Sequence, residues 1–351
     1  MRMRASLIIG SRRWRQLNNV LYLVVPCYNE EAVLVQTAEA LLDKYREMTA
    51  SAQISPHSRI LFVDDGSADA TWQIITMLSG QYPAVMGLKL SRNRGHQNAL
   101  FAGMMYAREH CDMMISIDAD LQDDVEALSA FVEKYHEGCD IVYGVRSERK
   151  KDTFFKRATA QGFYRFMNLM GAETVYNHAD YRLMSRRALE ALSEYRETGL
   201  FLRGVVPLIG LRSDSVYYAR RERAAGETKY PLKKMLNFAL DGITSFSVKP
   251  LRLISVFGML CSLLSVGGLL YALISYFFGY TVPGWTAITC SIWLLGGIQL
   301  LGIGVLGEYI GKIFSEVKQR PRYHIEAVVS HSQTETEKNK ETENSTDRPL
   351  S

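Results

Sequence analysis

The sequence ILFVDDGS occupies Ile60–Ser67 and joins a short apolar run to two carboxylates and a glycine. This order is typical of a buried strand that ends in a tight turn. It recurs where the apolar run Met113–Ile117 leads into Asp118, Asp120 and Gln122. We therefore expect polar groups from two strands to meet at the carboxyl edge of one sheet. The Asp-Gly pair alone predicts only a turn, since such pairs are common.

The chain around these motifs alternates short apolar runs with longer amphipathic ones. This alternation predicts an α/β fold, with a mostly parallel sheet covered by helices on both faces. The predicted strands are Leu21–Val25, Ile60–Val63, Val85–Leu90, Met113–Ile117, Ile141–Val145 and Ser213–Arg221. The predicted helices are Glu30–Tyr45, Asp69–Leu78, Gln97–Glu109, Val125–Glu137, Phe154–Met170 and Arg186–Tyr195.

A long segment farther on, Leu253–Gly307, contains no Asp, Glu, Lys, Arg or His. The turn-rich interval Gly279–Gly284 divides it into Leu253–Phe278 and Trp285–Gly307, each long enough to cross ~30 Å of hydrocarbon. A two-helix transmembrane hairpin is therefore predicted. Basic residues flank the hairpin and none lies in its turn, so both termini and the α/β domain are expected in the cytoplasm.

These patterns divide the chain into five predicted parts. An amphipathic helix opened by Pro231 precedes the hairpin, and we expect it to lie in the membrane interface. The alternative for this helix is packing against the α/β domain. The parts are a basic N-terminal extension (1–19), the α/β domain (20–230), the interfacial helix (231–248), the hairpin with its juxtamembrane end (249–323) and a disordered polar tail (324–351).

Composition excludes several classes of protein. The five cysteines are scattered without a C-x-x-C pair, which argues against a zinc site and a disulfide framework. A net charge of +4 is too small to indicate a nucleic-acid partner. The basic residues cluster at the N-terminus and around the uncharged segment, which favours contact with anionic membrane lipid.

The paired acids after the second motif predict a cation. Asp118 and Asp120 fall on the same side of an extended chain, where two carboxylates repel each other unless a cation lies between them and a polyphosphate. Hard oxygen ligands of this kind suit Mg²⁺ or Mn²⁺, which neutralise a diphosphate leaving group.

Five motifs, in this order, resemble those of the inverting family 2 glycosyltransferases. They are Val25–Glu31 (VPCYNEE), Asp64–Ser67 (DDGS), Ser91–Ala99 (SRNRGHQNA), Asp118–Asp123 (DADLQD) and Ala179–Met184 (ADYRLM). The resemblance extends through Gly226–Tyr230, Asp241–Ser247 and Leu301–Gly311 to the branch of the bactoprenol glucosyltransferases and dolichol-phosphate mannose synthases. It covers Val20–Tyr323 and implies a GT-A catalytic domain, which is Rossmann-like.

The resemblance also implies roles for individual residues. Asp180 matches the proposed catalytic acid residue, and Asp118 would contact the sugar nucleotide. The base and ribose would be held by Pro26, Tyr28, Glu30 and Asp65, the metal by Asp120 and Gln122, and the donor and acceptor phosphates by Arg146, Arg157, Arg182, Arg220 and Lys229. For Arg157 and Arg220 the alternative is a solvated basic surface. His96 is interpreted as a structural hydrogen-bonding residue rather than a base.

The implied reaction is transfer of a glycosyl group, with inversion, from a nucleotide sugar to a polyprenyl phosphate such as undecaprenyl phosphate. UDP-glucose is the first choice of donor, followed by UDP-N-acetylglucosamine and GDP-mannose. A transferase acting on diacylglycerol or a membrane protein is one alternative, and a non-catalytic membrane scaffold is another. A polymer synthase is disfavoured because no Q-x-x-R-W motif follows Asp180.

The resemblance places the protein in the plasma membrane, where the lipid-linked sugar would serve glycosylation of the cell envelope. A flippase and a second glycosyltransferase are the expected downstream partners. Gly302, Gly304, Gly307 and Gly311 permit close approach of helices, which suggests a homo-oligomer such as a tetramer. The alternative for these glycines is a lipid-facing position with no partner.

Overall fold

The structure, a computed structural model, describes residues 19–146, 178–197, 201–219 and 284–331, with isolated positions between 251 and 278. In the first range, strands and helices alternate as the hydrophobic pattern predicts, and the five strands and four helices predicted there are confirmed. They are β1 (Leu21–Cys27), α1 (Leu34–Ala50), β2 (Arg59–Asp64), α2 (Thr71–Gln81), β3 (Val85–Leu90), α3 (His96–Arg108), β4 (Met113–Ser116), α4 (Ala127–His136) and β5 (Ile141–Arg146).

The later elements follow the prediction less closely. The predicted helix at Arg186–Tyr195 and the predicted strand at Ser213–Arg221 are present, but two strands, at His178–Ser185 and Ile325–Ser330, and one short helix, at Leu202–Leu208, were not predicted. The elements are β6 (His178–Ser185), α5 (Arg186–Ser193), α6 (Leu202–Leu208), β7 (Ser213–Tyr218), α7 (Trp285–Val317) and β8 (Ile325–Ser330). The predicted helix Phe154–Met170 lies outside the described residues.

The eight strands form one mixed sheet in the order β7-β5-β6-β4-β1-β2-β3-β8. Strands β4, β1, β2 and β3 are parallel to one another, and β5 is parallel to β7. The antiparallel pairs are β4 with β6, β5 with β6, and β3 with β8. Ser116 of β4 pairs with Arg182 of β6. The residues that follow β4 therefore lie beside the start of β6, at the edge where β1 and β2 also end.

Helices bury both faces of the sheet, as the sequence predicts. One apolar cluster includes Leu41 of α1 and Phe131 of α4, and the other includes Met104 of α3 and Leu189 of α5. All four side chains have no exposed surface. Burial of each such side chain stabilises a fold by roughly 1.5–3 kcal/mol, so the two clusters hold the carboxyl edge of the sheet in place.

Strand β8 corrects the predicted boundary of the tail. Residues 324–351 were predicted to be disordered, but Ile325–Ser330 pairs antiparallel with β3 at the edge of the sheet. The segment IEAVVS is rich in β-branched residues, and the successive residues Val328 and Val329 pack against opposite apolar clusters. The prediction is therefore wrong for this strand, and residues 332–351 lie outside the described part of the chain.

Helix α7 contains the second predicted membrane span. Within the described residues it is the one helix long and apolar enough to cross a membrane, and its stretch Ile298–Val317 has a mean hydropathy of 1.2 and is not buried. The helix continues past the predicted end at Gly307 to Val317. Most of the first predicted span, Leu253–Phe278, and all of the predicted interfacial helix lie outside the described residues, so the hairpin stays a prediction.

Candidate active site

The turn after β2 holds the loop that leads into α3. Gly66 has a φ of +67°, and an added Cβ would lie 2.6 Å from the backbone of Arg92 and Asn93, so only glycine fits there. Beside it, Asp65 is almost fully buried. Its Oδ1 accepts from the backbone N–H of Arg94 at 2.7 Å, and its Oδ2 accepts from that of Gly95 at 2.8 Å.

These contacts show that the Asp65–Gly66 pair does more than form a turn. Burial raises the pKa of Asp65, whereas the two backbone hydrogen bonds lower it and act against that effect. The pair is a turn, and its carboxylate also fixes the loop before α3. The predicted contact of Asp65 with a base or ribose stays a prediction.

The loop after β1 is tied to the loop after β2 by side-chain hydrogen bonds. Asn29 donates its backbone N–H to Ser67 Oγ at 3.0 Å, and its Oδ1 accepts from the backbone N–H of Ala68 at 2.9 Å. Tyr28 lies next to this junction and is 48% exposed, whereas Pro26 is buried. An exposed aromatic ring on a fixed loop can stack on a planar base.

Glu30 and the acids after β4 lie at the same edge of the sheet. The backbone N–H of Glu30 donates to Thr71 Oγ1 at 2.9 Å, which joins the first loop to the start of α2. Asp118 is partly exposed. Asp120 accepts from both the backbone and the side-chain amide of Gln122, which is itself buried.

The chemistry of Asp120 and Gln122 fits a hard divalent cation. The described residues contain no group of three or more His, Cys, Asp or Glu side chains arranged around a common metal position. Asp120 nevertheless offers a carboxylate, and the neighbouring Gln122 carries an amide oxygen, although its amide nitrogen is the atom that contacts Asp120. Mg²⁺ is commonly bound through one or two protein carboxylates, with water and substrate phosphates completing its coordination.

Asp180 lies at the centre of a cluster of cations. Its Oδ1 is 2.9 Å from Arg182 Nη2 and 3.1 Å from Arg203 Nε, and its Oδ2 is 3.1 Å from Arg203 Nη2. His96 Nε2 is 3.6 Å from Asp180 Oδ2 and 3.8 Å from Asp118 Oδ1. The start of α3, strand β6 and helix α6 therefore meet around one carboxylate, next to Asp118.

The cluster determines the charge of Asp180. Burial raises the pKa of this carboxyl, but the contact with His96 and the charges of Arg182 and Arg203 outweigh it and hold the pKa well below its usual range. Burial lowers the pKa of His96, and its contacts with Asp180 and Asp118 raise it above the usual value. His96 lies between the two acids, and its predicted structural role stays a prediction.

The pKa of Asp118 is shifted in the opposite direction to that of Asp180. Desolvation raises its pKa to about 6, and the nearby carboxylates of Asp123, Asp180 and Asp120 add to this effect, although His96 lowers the pKa. Asp118 and Asp180, which lie at the same edge of the sheet, thus differ strongly in their affinity for protons. Asp180 is neutralised by protein cations, whereas Asp118 faces an excess of negative charge that a bound cation would relieve.

Arg182, which was predicted to bind a phosphate, lies away from solvent in this arrangement, so that role stays a prediction. Its side chain has no exposed surface, and its Nη1 donates to the backbone carbonyl of Leu202 at 3.2 Å. Desolvation lowers its pKa, against the charge of Asp180, which raises it. Arg182 is therefore a buried positioning residue beneath Asp180.

Arg203 is the residue that the sequence did not reveal. It forms the two-atom contact with Asp180 and keeps 38% of its side chain exposed. It lies 23 positions from Asp180 along the chain, in a helix that was not predicted. The local signal was a single arginine in the otherwise apolar segment Phe201–Val206.

The remaining predicted phosphate ligands fall into two groups. Arg146 is partly exposed, and its Nη2 lies 3.2 Å from Asp123 Oδ1, which also accepts from Tyr218 Oη at 2.6 Å. Arg146 thus lies at the same edge of the sheet, beside the acids that follow β4. The others, Arg157, Arg220 and Lys229, lie outside the described residues.

Comparison with known proteins identifies the family. Residues 22–193 match glycosyl transferase family 2. The glycosyltransferase YkoT of Bacillus subtilis is 54% identical over 312 residues, which are 89% of this chain and 93% of that protein. The bactoprenol glucosyl transferase of Shigella phage SfII is 41% identical over 306 residues, which are 86% of this chain and 96% of that protein.

Solved structures give a weaker likeness. Mannosyl-3-phosphoglycerate synthase from Rubrobacter xylanophilus superposes with a TM-score of 0.45 at 16% identity, over 67% of this chain and 75% of that one. At this level the likeness supports no inference about the site. The relatives by sequence, which align over most of their own length, establish that the chain is an enzyme of glycosyl transferase family 2, in the group that includes the bactoprenol glucosyl transferases.

Proposed function

We propose that this glycosyltransferase moves a sugar, with inversion, from a nucleotide sugar to a polyprenyl phosphate at the cytoplasmic face of the plasma membrane. Relatives 41% identical over 86% of the chain are bactoprenol glucosyl transferases, which supports this class of acceptor and glucose as the sugar. UDP-glucose is therefore the donor that we expect. UDP-N-acetylglucosamine and GDP-mannose are the alternatives.

The observation that carries the proposal is the ionised, cation-bound state of Asp180. A general base works best when its pKa lies near the operating pH, and the pKa of Asp180 is held far below that range. A phosphate monoester has its second pKa near 6 and is largely deprotonated at neutral pH. An acceptor of this kind needs cations that place it in line with the anomeric carbon more than it needs a base.

Arg203 is the residue that we assign to the acceptor phosphate. Asp180 holds its guanidinium through two atoms, while part of the side chain remains exposed at the edge of the sheet. A guanidinium fixed in this way keeps donors free on its outer side for a phosphate oxygen. Arg146, Arg157, Arg220 and Lys229 are proposed as further phosphate ligands around the donor and acceptor.

The donor is proposed to bind along the ends of β1, β2 and β4. Tyr28, with Pro26 and Glu30, would hold the base, and Asp65 and Asp118 the ribose and the sugar. Asp120 and Gln122 would hold Mg²⁺ or Mn²⁺. When bound, such an ion neutralises the charge that develops on the departing nucleoside diphosphate.

Membrane attachment is proposed through the hairpin. The exposed, apolar surface of α7 supports a span that ends near Val317. A polyprenyl phosphate keeps its tail in the bilayer, so the active site must lie close to the headgroups. The segment 231–248 would support the catalytic domain there, with its apolar side in the interface.

Product extraction tests the proposal. Protein purified in detergent is incubated with radiolabelled UDP-glucose, UDP-N-acetylglucosamine or GDP-mannose, and with undecaprenyl phosphate or diacylglycerol. We expect label from UDP-glucose to enter the organic phase only with the polyprenyl phosphate. Label on diacylglycerol would refute the acceptor class, and no transfer from any of the three donors would refute the proposed set of donors.

A further inference from the structure

A second group of cations lies between the loop before α3 and the end of α7. It surrounds a cleft of about 330 Å³, which we call the basic cleft and define by Arg94, Asn98, Lys318, Arg320 and Arg322. In the described part of the chain no Asp or Glu lines this cleft. Asp118, Asp120 and Asp180 are all absent from its walls, so it is separate from the site at the ends of β4 and β6.

Three of the cations have no acidic partner among the described residues. Arg94 is fixed through its backbone, whose N–H donates to Asp65 and whose carbonyl accepts from Asn98 Nδ2 at 2.8 Å. Its side-chain Nε is buried and has no hydrogen-bond partner in the described chain. Lys318 Nζ lies 4.0 Å from the ring centre of Phe314, and Arg320 is exposed. The cleft thus holds positive charge that the acidic residues of the described chain leave uncompensated.

Arg322 has a different role, because it fastens the wall of the cleft to the catalytic domain. Its Nη2 donates to the backbone carbonyl of Tyr195 at 2.7 Å, and its guanidinium lies 4.6 Å from the ring centre of Phe101 on α3. Desolvation lowers the pKa of Arg322, and the charges of Glu316 and Glu197, neither of which lines the cleft, raise it. The residues after α7 are therefore held against α3, and the shape of the cleft does not depend on a ligand.

The position of the cleft identifies its ligand. It follows directly after the apolar stretch of α7, where Ile310, Ile313 and Val317 are exposed. If α7 crosses the bilayer as proposed above, the cleft lies at the depth of the cytoplasmic headgroups, and the inference rests on that placement. We propose that the basic cleft binds the phosphate of an anionic phospholipid and so fixes the height of the catalytic domain above the membrane.

The chemistry fits this class of ligand. Arginine forks bind two phosphate oxygens at once, and a lysine adds a point charge. Each basic residue near an anionic leaflet strengthens binding to the membrane roughly fivefold. A phosphate held between Arg94 and Arg320 has no catalytic carboxylate beside it, which distinguishes the cleft from a site for the acceptor.

Native mass spectrometry of the full chain in detergent tests the proposal by titration with phosphatidylglycerol. We expect Lys318→Gln with Arg320→Gln to weaken binding of the first phosphatidylglycerol by at least about tenfold. The matched control is Arg46→Gln with Arg187→Gln, which removes the same charge from exposed positions outside the cleft and should bind as the wild type does. Phosphatidylcholine should bind weakly to all three proteins.

Each other outcome overturns the proposal. Equal weakening in the cleft variant and the control would mean that only net charge matters. Full displacement of phosphatidylglycerol by millimolar inorganic phosphate would indicate a site for a soluble anion, and full displacement by equimolar undecaprenyl phosphate would make the cleft part of the acceptor site. Failure of the membrane placement is distinguishable, because the protein would then stay in solution without detergent.

Discussion

Replacement of Asp180 by asparagine is expected to destabilise the catalytic domain as well as to stop transfer. Arg182 has no exposed surface, lies 2.9 Å from the Asp180 carboxylate, and has an Nε without a hydrogen-bond partner in the described chain. The substitution leaves its guanidinium buried without the neighbouring negative charge. Removal of one member of a buried ion pair costs about 3–5 kcal/mol.

That free energy corresponds to a large change in Tm. For domains of about 150–250 residues, each kcal/mol shifts Tm by roughly 2–4 °C, so Asp180→Asn should lower Tm by about 10 °C. Intrinsic fluorescence of the purified, ligand-free protein measures this change during heating. A loss of activity in this variant is interpretable only at a temperature where the protein remains folded.

The difference in Tm between wild type and Asp180→Asn should depend on pH because of His96. Contact with Asp180 raises the pKa of His96, against the effect of its burial. A group with a raised pKa contributes stability below its unfolded pKa of about 6.5 and loses that contribution as the pH rises through the folded value. The gap in Tm should therefore be larger at pH 6 than at pH 9.

Arg203→Gln is the matched control for stability. Arg203 also pairs with Asp180, but 38% of its side chain is exposed, and Arg182 still neutralises the carboxylate when Arg203 is removed. Ion pairs that solvent reaches contribute at most about 1 kcal/mol, so Tm should fall by no more than about 4 °C. A fall of less than about 3 °C in Asp180→Asn, or equal falls in both variants, would refute the assignment of Arg182.

Four further predictions concern the reaction and the membrane. Asp120→Ala should abolish transfer without a change in Tm, and chelation should do so reversibly; full activity in excess EDTA would contradict the metal assignment. Arg203→Gln should raise the KM for undecaprenyl phosphate at least about tenfold and leave the Kd of the nucleotide sugar unchanged. Arg203→Lys should recover part of the loss. An equal rise in the Kd of the nucleotide sugar would contradict the assignment of Arg203 to the acceptor phosphate. A cysteine at position 281 should react with an impermeant reagent outside intact cells and one in 332–351 should not; the reverse pattern would invert the topology. Leu236→Glu with Leu240→Glu should impair transfer to a long-chain acceptor far more than transfer to a short, water-soluble one. Lys229→Ala should impair transfer to both acceptors. Equal losses with the two acceptors in the double variant would mean that the segment 231–248 has only a structural role.

The sequence predicted the part of the fold that hydrophobic periodicity encodes. Strand β2 is a short apolar run bounded by turn residues, and α3 is an apolar segment too long for a typical strand, so their positions followed directly. Strand β8 was missed because IEAVVS follows a basic segment and precedes a polar one, and its partner, β3, lies more than 200 residues earlier. Edge pairing over that distance leaves no local signal.

The candidate site was predicted in part for the same reason. Asp65, Asp118 and Asp120 each end or follow an apolar strand, which places them at one edge of the sheet. The contact between Asp180 and Arg182 is the i, i+2 neighbour relation of a strand, and it would have followed if β6 had been recognised. Arg203 comes from a different element, so its contact with Asp180 depends on how α6 packs, and no spacing in the sequence expresses that.

The electrostatics of Asp180 also bear on which alternative acceptor is plausible. A hydroxyl, such as that of diacylglycerol, keeps its proton at neutral pH, so an enzyme that uses it requires a base able to accept that proton. A carboxylate held by two arginines and a histidine, with its pKa far below neutrality, is poorly suited to that task. The same cluster suits an acceptor that arrives as an anion, because Arg203 can bind its phosphate while Asp180 keeps the guanidinium in place. The charge state of one buried carboxylate therefore favours a phosphate over a hydroxyl as the attacking group.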